Sequence, residues 1–102
     1  MVTKAIPEVT ALEAEAVASL FLSDNLPDRF TPGAPCLDAQ GEVWHVPVLL
    51  AYPVIGPVGQ TGEILVSGRR KEVVSYTPLD AMMEAAARLH DLHRHEIEAI
   101  IL

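Results

Sequence analysis

The sequence predicts an α+β fold, an N-terminal helix and a long C-terminal helix flanking a four-stranded antiparallel meander. Three observations carry this reading: a capping-box spacing at Thr10 and Glu13, alternating apolar residues from Trp44 to Tyr52, and an uninterrupted helical pattern after Pro78. The 102 residues suffice for one hydrophobic core and not two, so residues 1–102 are read as a single domain.

The first helix should begin near Ala11, where the side chains of Thr10 and Glu13 can each satisfy the other residue's free backbone N–H. Val9, Leu12, Ala16, Val17, Leu20 and Phe21 recur mostly at steps of three and four and define its expected apolar face. Ser23, Asp24, Asn25 and Pro27 end it, and Pro32, Gly33 and Pro35 predict an irregular stretch beyond.

A short strand over about 35–38 then turns through Asp38, Ala39, Gln40 and Gly41 into a strand over about 42–52. Trp44, Val46, Val48, Leu50 and Tyr52 share the predicted core face of that strand. Val43, His45, Pro47, Leu49 and Ala51 make the other face more apolar than a fully wet surface. Pro47 lacks a ladder donor, which places it at an edge or a bulge. Residues 53–62, rich in proline and glycine, read as a wide connection before strands over about 63–67 and 72–76.

The last helix has a clear start signal in Thr77 as N-cap, Pro78 as first helical residue and Asp80 in the first turn, and runs over about 78–101. About 24 residues make roughly 36 Å of helix, more than the expected strands cover. Its stripe runs through Leu79, Met82, Met83, Ala86, Leu89, His90, His93, Ile97, Ile100 and Ile101. The distal half therefore either folds over the first helix or meets another chain. His90, His93, Ile97, Ile100 and Ile101 are the candidate interface residues, with a homodimer as the simplest assembly.

Seven Lys and Arg against fourteen Asp and Glu give a net charge of −7, which disfavours sequence-independent nucleic-acid binding. Arg69, Arg70 and Lys71 read as a solvated hairpin tip. One cysteine, Cys36, and no apolar leader-like run over 1–7 point to the cytoplasm. The longest apolar stretch, 46–58, is broken by prolines and glycine and is too short to span a membrane.

No catalytic residue, metal or cofactor is predicted. His90 and His93 lie one turn apart while His95 points away, so one helix offers two convergent imidazoles, short of a zinc site. Cys36 has no helix N-terminus or basic neighbour to activate it toward His45. Glu8, Glu13 and Glu15 read as capping and solubility. Gly56, Gly59 and Gly62 precede no Lys-Ser/Thr and form no phosphate loop. Tyr52, Pro53, Gly56 and Pro57 instead suggest a shaped recognition loop.

The order of the first helix, the turn at 38–41, the Trp44-His45-Val46 strand and the Ile64-Leu65-Val66-Ser67-Gly68 turn resembles the PepSY-type or cystatin-like α-β meander over about residues 10–76. That resemblance implies a non-enzymatic domain that works by binding. The expected function is thus a protein-interaction or regulatory module that self-associates. A small acidic regulator of a partner enzyme, of antitoxin type, and a small-ligand-binding α+β domain are the alternatives.

Overall fold

The computed structural model describes residues 6–101, with Ile100 and Ile101 described by backbone alone. It is an α+β fold whose order is α1 (Ala11–Asn25), β1 (Phe30–Pro32), β2 (Cys36–Leu37), β3 (Val43–Tyr52), β4 (Gly56–Ser67), β5 (Val73–Tyr76), α2 (Leu79–Leu92) and α3 (Arg94–Ile101). All strand pairs are antiparallel, in the order β1-β3-β4-β5, with β2 on the same side of β3 as β1.

The expected capping box forms at the start of α1: Glu13 N–H donates to Thr10 Oγ1 at 3.1 Å and Thr10 N–H to Glu13 Oε1 at 2.9 Å. Lys71 Nζ lies 2.8 Å from the other Glu13 oxygen. The lysine first, and the Thr10 N–H next, pull the Glu13 carboxyl down to about 2. The predicted hairpin turn also forms. Asp38 Oδ1 accepts from the N–H groups of Glu42 and Val43, at 2.8 and 3.3 Å, which holds its carboxyl below the usual range. Gly41 supplies the positive φ, 75°.

The core is the α1-facing side of the sheet. Val46 and Val48 of β3 and Ile64 and Val66 of β4 are fully buried against Ala14, Ala18 and Leu22, with Met82 closing the cluster from α2. Two polar tethers hold this assembly in register. The Trp44 indole donates to Val9 O at 2.8 Å, and Gly68 O accepts from the N–H groups of Glu8 and Val9. Phe21 packs against Tyr76 with ring centroids 4.7 Å apart, fixing α1 over β5.

Four sequence expectations are corrected. First, the sheet has five strands, because residues 30–32 pair with β3 despite Pro32 and Gly33. The alternation of the ladder explains the tolerance. Gly33 N–H donates to Pro47 O and Ala51 N–H to Arg29 O, so Phe30 and Pro32 point their backbone groups away from β3. Pro47 in turn aims its missing donor at the interval between β1 and β2, which is the edge position its chemistry requires.

Second, residues 56–62 are strand rather than connection. β4 is twelve residues long and joins β3 through a three-residue turn at 53–55, with register shifts that place extra residues near Thr61 and Val58. Thr61 is buried and its hydroxyl donates to Val48 O at 3.2 Å. The glycines serve packing. A Cβ at Gly62 would lie 2.7 Å from Met82 Cγ, and one at Gly59 would lie 2.6 Å from a Leu89 methyl, so both leave room for α2.

Third, Thr77 does not cap α2. Its N–H and hydroxyl both bond the Glu63 backbone, extending the β4–β5 ladder by one rung, and Pro78 becomes the N-cap. Asp80 Oδ1 accepts from Ala81 N–H at 2.9 Å and supplies negative charge in the first turn as expected.

Fourth, the C-terminal helix is two helices, divided at His93. His93 Nδ1 lies 3.2 Å from Glu96 Oε1, an i,i+3 link across the start of α3. α2 itself lies within the length of the sheet, and α3 packs mainly against α2. Fourteen residues of α2 span about 21 Å, whereas twelve residues of β4 span about 40 Å, so the strand outreaches the helix.

Candidate functional site

α1 is apolar nearly all round, so burying one face leaves another in water. The sheet selects Ala14, Ala18 and Leu22, at steps of four, with Val17 and Phe21 beside them. Small side chains permit close approach, which is why two alanines rather than two leucines face the valines of β3. The face expected from periodicity is therefore divided. Val17 and Phe21 pack inward, while Leu12 and Leu20 are 76% and 65% exposed.

Leu12, Ala16 and Leu20 form an outer row at steps of four. Beside that row runs a groove of about 400 Å³, lined by Leu12, Glu15, Ala16 and Ser19 of α1 and by Thr31 and Pro32 of β1. It is more open than enclosed, a trough between a helix and a sheet edge. Glu15 lies on the groove side of the row and Asp24 on the far side, by the angular step of about 100° per residue. α1 carries no Lys or Arg.

The expected C-terminal interface is distributed differently. Ile97 is 2% exposed within the single chain and belongs to its own packing. The side chains of Ile100 and Ile101 lie outside the described residues. His90 and His93 are half-buried. The His90 ring sits 6.1 Å from Tyr52, whose other neighbour is the Arg29 guanidinium, 5.4 Å from the ring centre. This stack joins the hairpin end of the sheet to the last turn of α2.

The proposed recognition loop is also redistributed. Tyr52 pairs with Gly56 and Ala51 with Pro57 as the last rungs of the β3–β4 ladder, so of the four residues only Pro53 belongs to the turn. Next to it Val54 adopts a φ of 70° at an exposed tip, and Gly56 follows at 81°. The basic run behaves as expected: Arg69, Arg70 and Lys71 are exposed and each lies within 4.0 Å of a carboxylate, Glu42, Glu72 and Glu13 respectively.

Cys36 and His45 are cross-strand partners, and His45 Nδ1 lies 3.2 Å from Glu63 Oε2. Side chains in this row point away from the α1-facing core. The thiol, however, contacts its neighbour's carbonyl, Leu37 O, at 3.9 Å instead of the imidazole. Nucleophile and base are not joined. Among the described residues no group of three or more His, Cys, Asp or Glu could hold a metal ion, and no helix is long and apolar enough to cross a membrane.

Family models, curated proteins and solved structures contain no match to this chain. The groove on α1 is thus read from its own geometry. Sequence periodicity missed it because that method assigns one apolar face per helix; the available signal was the surplus of apolar residues on α1, too many for one stripe.

Proposed function

We propose that this chain is a non-enzymatic protein-interaction module that engages its partner through the outer row of α1. One observation carries the reading: Leu12 and Leu20 stand in water, two turns apart, on a row whose Leu12 and Ala16 line an open groove, while the same helix seats a second apolar row in the core. A single exposed leucine needs no explanation, but a spaced row beside a trough marks an interaction surface. The likeness to PepSY-type or cystatin-like meanders is part of this proposal, since such modules work by binding.

Self-association through the C-terminal helix is the alternative form of this proposal. The burial of Ile97 within the single chain supports the α1 surface over the C-terminal one. The lone exposed Cys36, with no disulfide, suits a reducing compartment such as the cytoplasm.

A photo-crosslinking residue in place of Leu20, in cells, tests the proposal against the same residue in place of the exposed Glu84 on α2. A discrete adduct from position 20 and none from position 84, whether with another protein or a second copy, is the expected result. Adducts from neither position, or from 84 alone, would remove the module reading.

A further inference from the structure

Resting on that reading, we propose that the groove between α1 and β1 takes a basic amphipathic helix of another protein. Three properties of the groove define its occupant: the backbone of its edge, the spacing of its apolar side chains and its charge.

An incoming β-strand is refused. The outward-facing backbone of β1 belongs to Phe30 and Pro32. Pro32 has no N–H, and Phe30 N–H is already donated to Pro27 O at 3.3 Å. An added strand would meet acceptors without donors along the whole of this short edge.

A helix is accommodated. Leu12, Ala16 and Leu20 repeat at the one-turn interval that an apolar helix face presents, with the small Ala16 between the two leucines. The trough beside them, lined by Ala16, Thr31 and Pro32 among others, is open at the surface. A partner laying Leu, Ile or Phe side chains at steps of three and four into it would cover both exposed leucines.

The occupant is positively charged. Glu15 lines the groove, Asp24 borders the row, and α1 offers no cation of its own. Lys71 is committed to Glu13 of the same helix at 2.8 Å and Arg29 lies over the Tyr52 ring, and among the described residues Glu15 and Asp24 have no salt-bridge partner. A second copy of α1 would set carboxylates against carboxylates on a chain of net charge −7. Lysine or arginine beside the apolar anchors removes that repulsion and steers the encounter.

The test titrates the intact chain with three synthetic peptides of about 15 residues, long enough to form a helix on docking. One alternates leucine and lysine in an amphipathic helical pattern, one replaces its lysines with glutamate, and one replaces its leucines with serine. Amide NMR shifts locate binding and fluorescence anisotropy measures it. The leucine–lysine peptide should shift Leu12, Ala16, Leu20 and Thr31, and the other two should bind at least about tenfold more weakly. Leu12→Ser with Leu20→Ser should also cost about tenfold or more in affinity, and Glu15→Lys should weaken binding while leaving the circular dichroism of the exposed-site variants unchanged.

Shifts confined to other surfaces, or equal affinity for the leucine–glutamate peptide, would overturn the proposal. So would a dimer, seen by light scattering, that dissociates on Leu12→Ser with Leu20→Ser, since the groove would then hold a second copy. In either of the last two cases the module reading stands and the basic partner falls. Silence of α1 toward every peptide, together with no cross-link from position 20, removes both.

Discussion

Gly62 leaves empty the space that Met82 fills: a Cβ on the glycine would stand 2.7 Å from Met82 Cγ, 2.9 Å from its sulfur and 2.9 Å from Thr77 Cβ. Met82 is itself fully buried in the core cluster. The pair fixes how closely α2 lies on β4.

Gly62→Ala should therefore destabilise the chain by about 1–3 kcal/mol, because the methyl meets the stem of one side chain and the Cβ of another. Gly59→Ala should cost less, since the atoms it meets are the rotatable methyls of Leu89. Urea unfolding of both variants measures the difference. A Gly62→Ala protein as stable as the parent would show that the helix and strand are not so close.

Acid should act through Glu13. Its folded-state value, about 2, lies below its ordinary value of 4.5, so the contribution of the Lys71 and Thr10 bonds is fully present above about 4.5 and fades as pH falls toward 2. Glu13→Gln should lower the unfolding midpoint at neutral pH. The two proteins should converge below about pH 2, where both side chains are uncharged. Parallel curves across that interval would mean that the carboxylate's pairing does not stabilise the fold.

Ile97→Ala should cost about 2–5 kcal/mol, the range for emptying a buried aliphatic site, whereas Leu92→Ala at an exposed position should stay within about 0.5 kcal/mol. Thermal unfolding at two protein concentrations separates this from an intermolecular role. A loss that depends on concentration would return Ile97 to an interface between chains.

The sequence was most informative where one residue type has one local use. Thr10 with Glu13, Asp38 with Gly41, and the alternation through Val46, Val48 and Leu50 all name structures set by neighbouring backbone, and all formed. It was least informative where a residue's use depends on a distant element. Gly59 and Gly62 read as loop because a glycine in isolation signals a turn; their purpose appears only once α2 lies across them. Thr77 has the chemistry of an N-cap, yet the backbone of Glu63 competes for the same hydroxyl and wins.

The candidate site illustrates the same division. α1 carries two apolar rows, and nothing local says which one a sheet will choose. Periodicity favours the row with leucines, since leucine has more surface to bury. Close packing favours alanine, because it lets the helix axis approach Val46 and Val48. The leucine row was left in water as a result, and the groove follows from that choice. The division at His93, with no proline or glycine to mark it, was likewise invisible locally.

Trp44 is the only tryptophan of the chain, and its indole N–H is committed to Val9 O, at the residue where the polypeptide enters the turn before α1. Its emission is therefore a built-in optical gauge of how that helix is seated. Loosening the first turn would free the indole to water and shift its spectrum to the red, so an occupant that tugs on α1 would announce itself without any attached label.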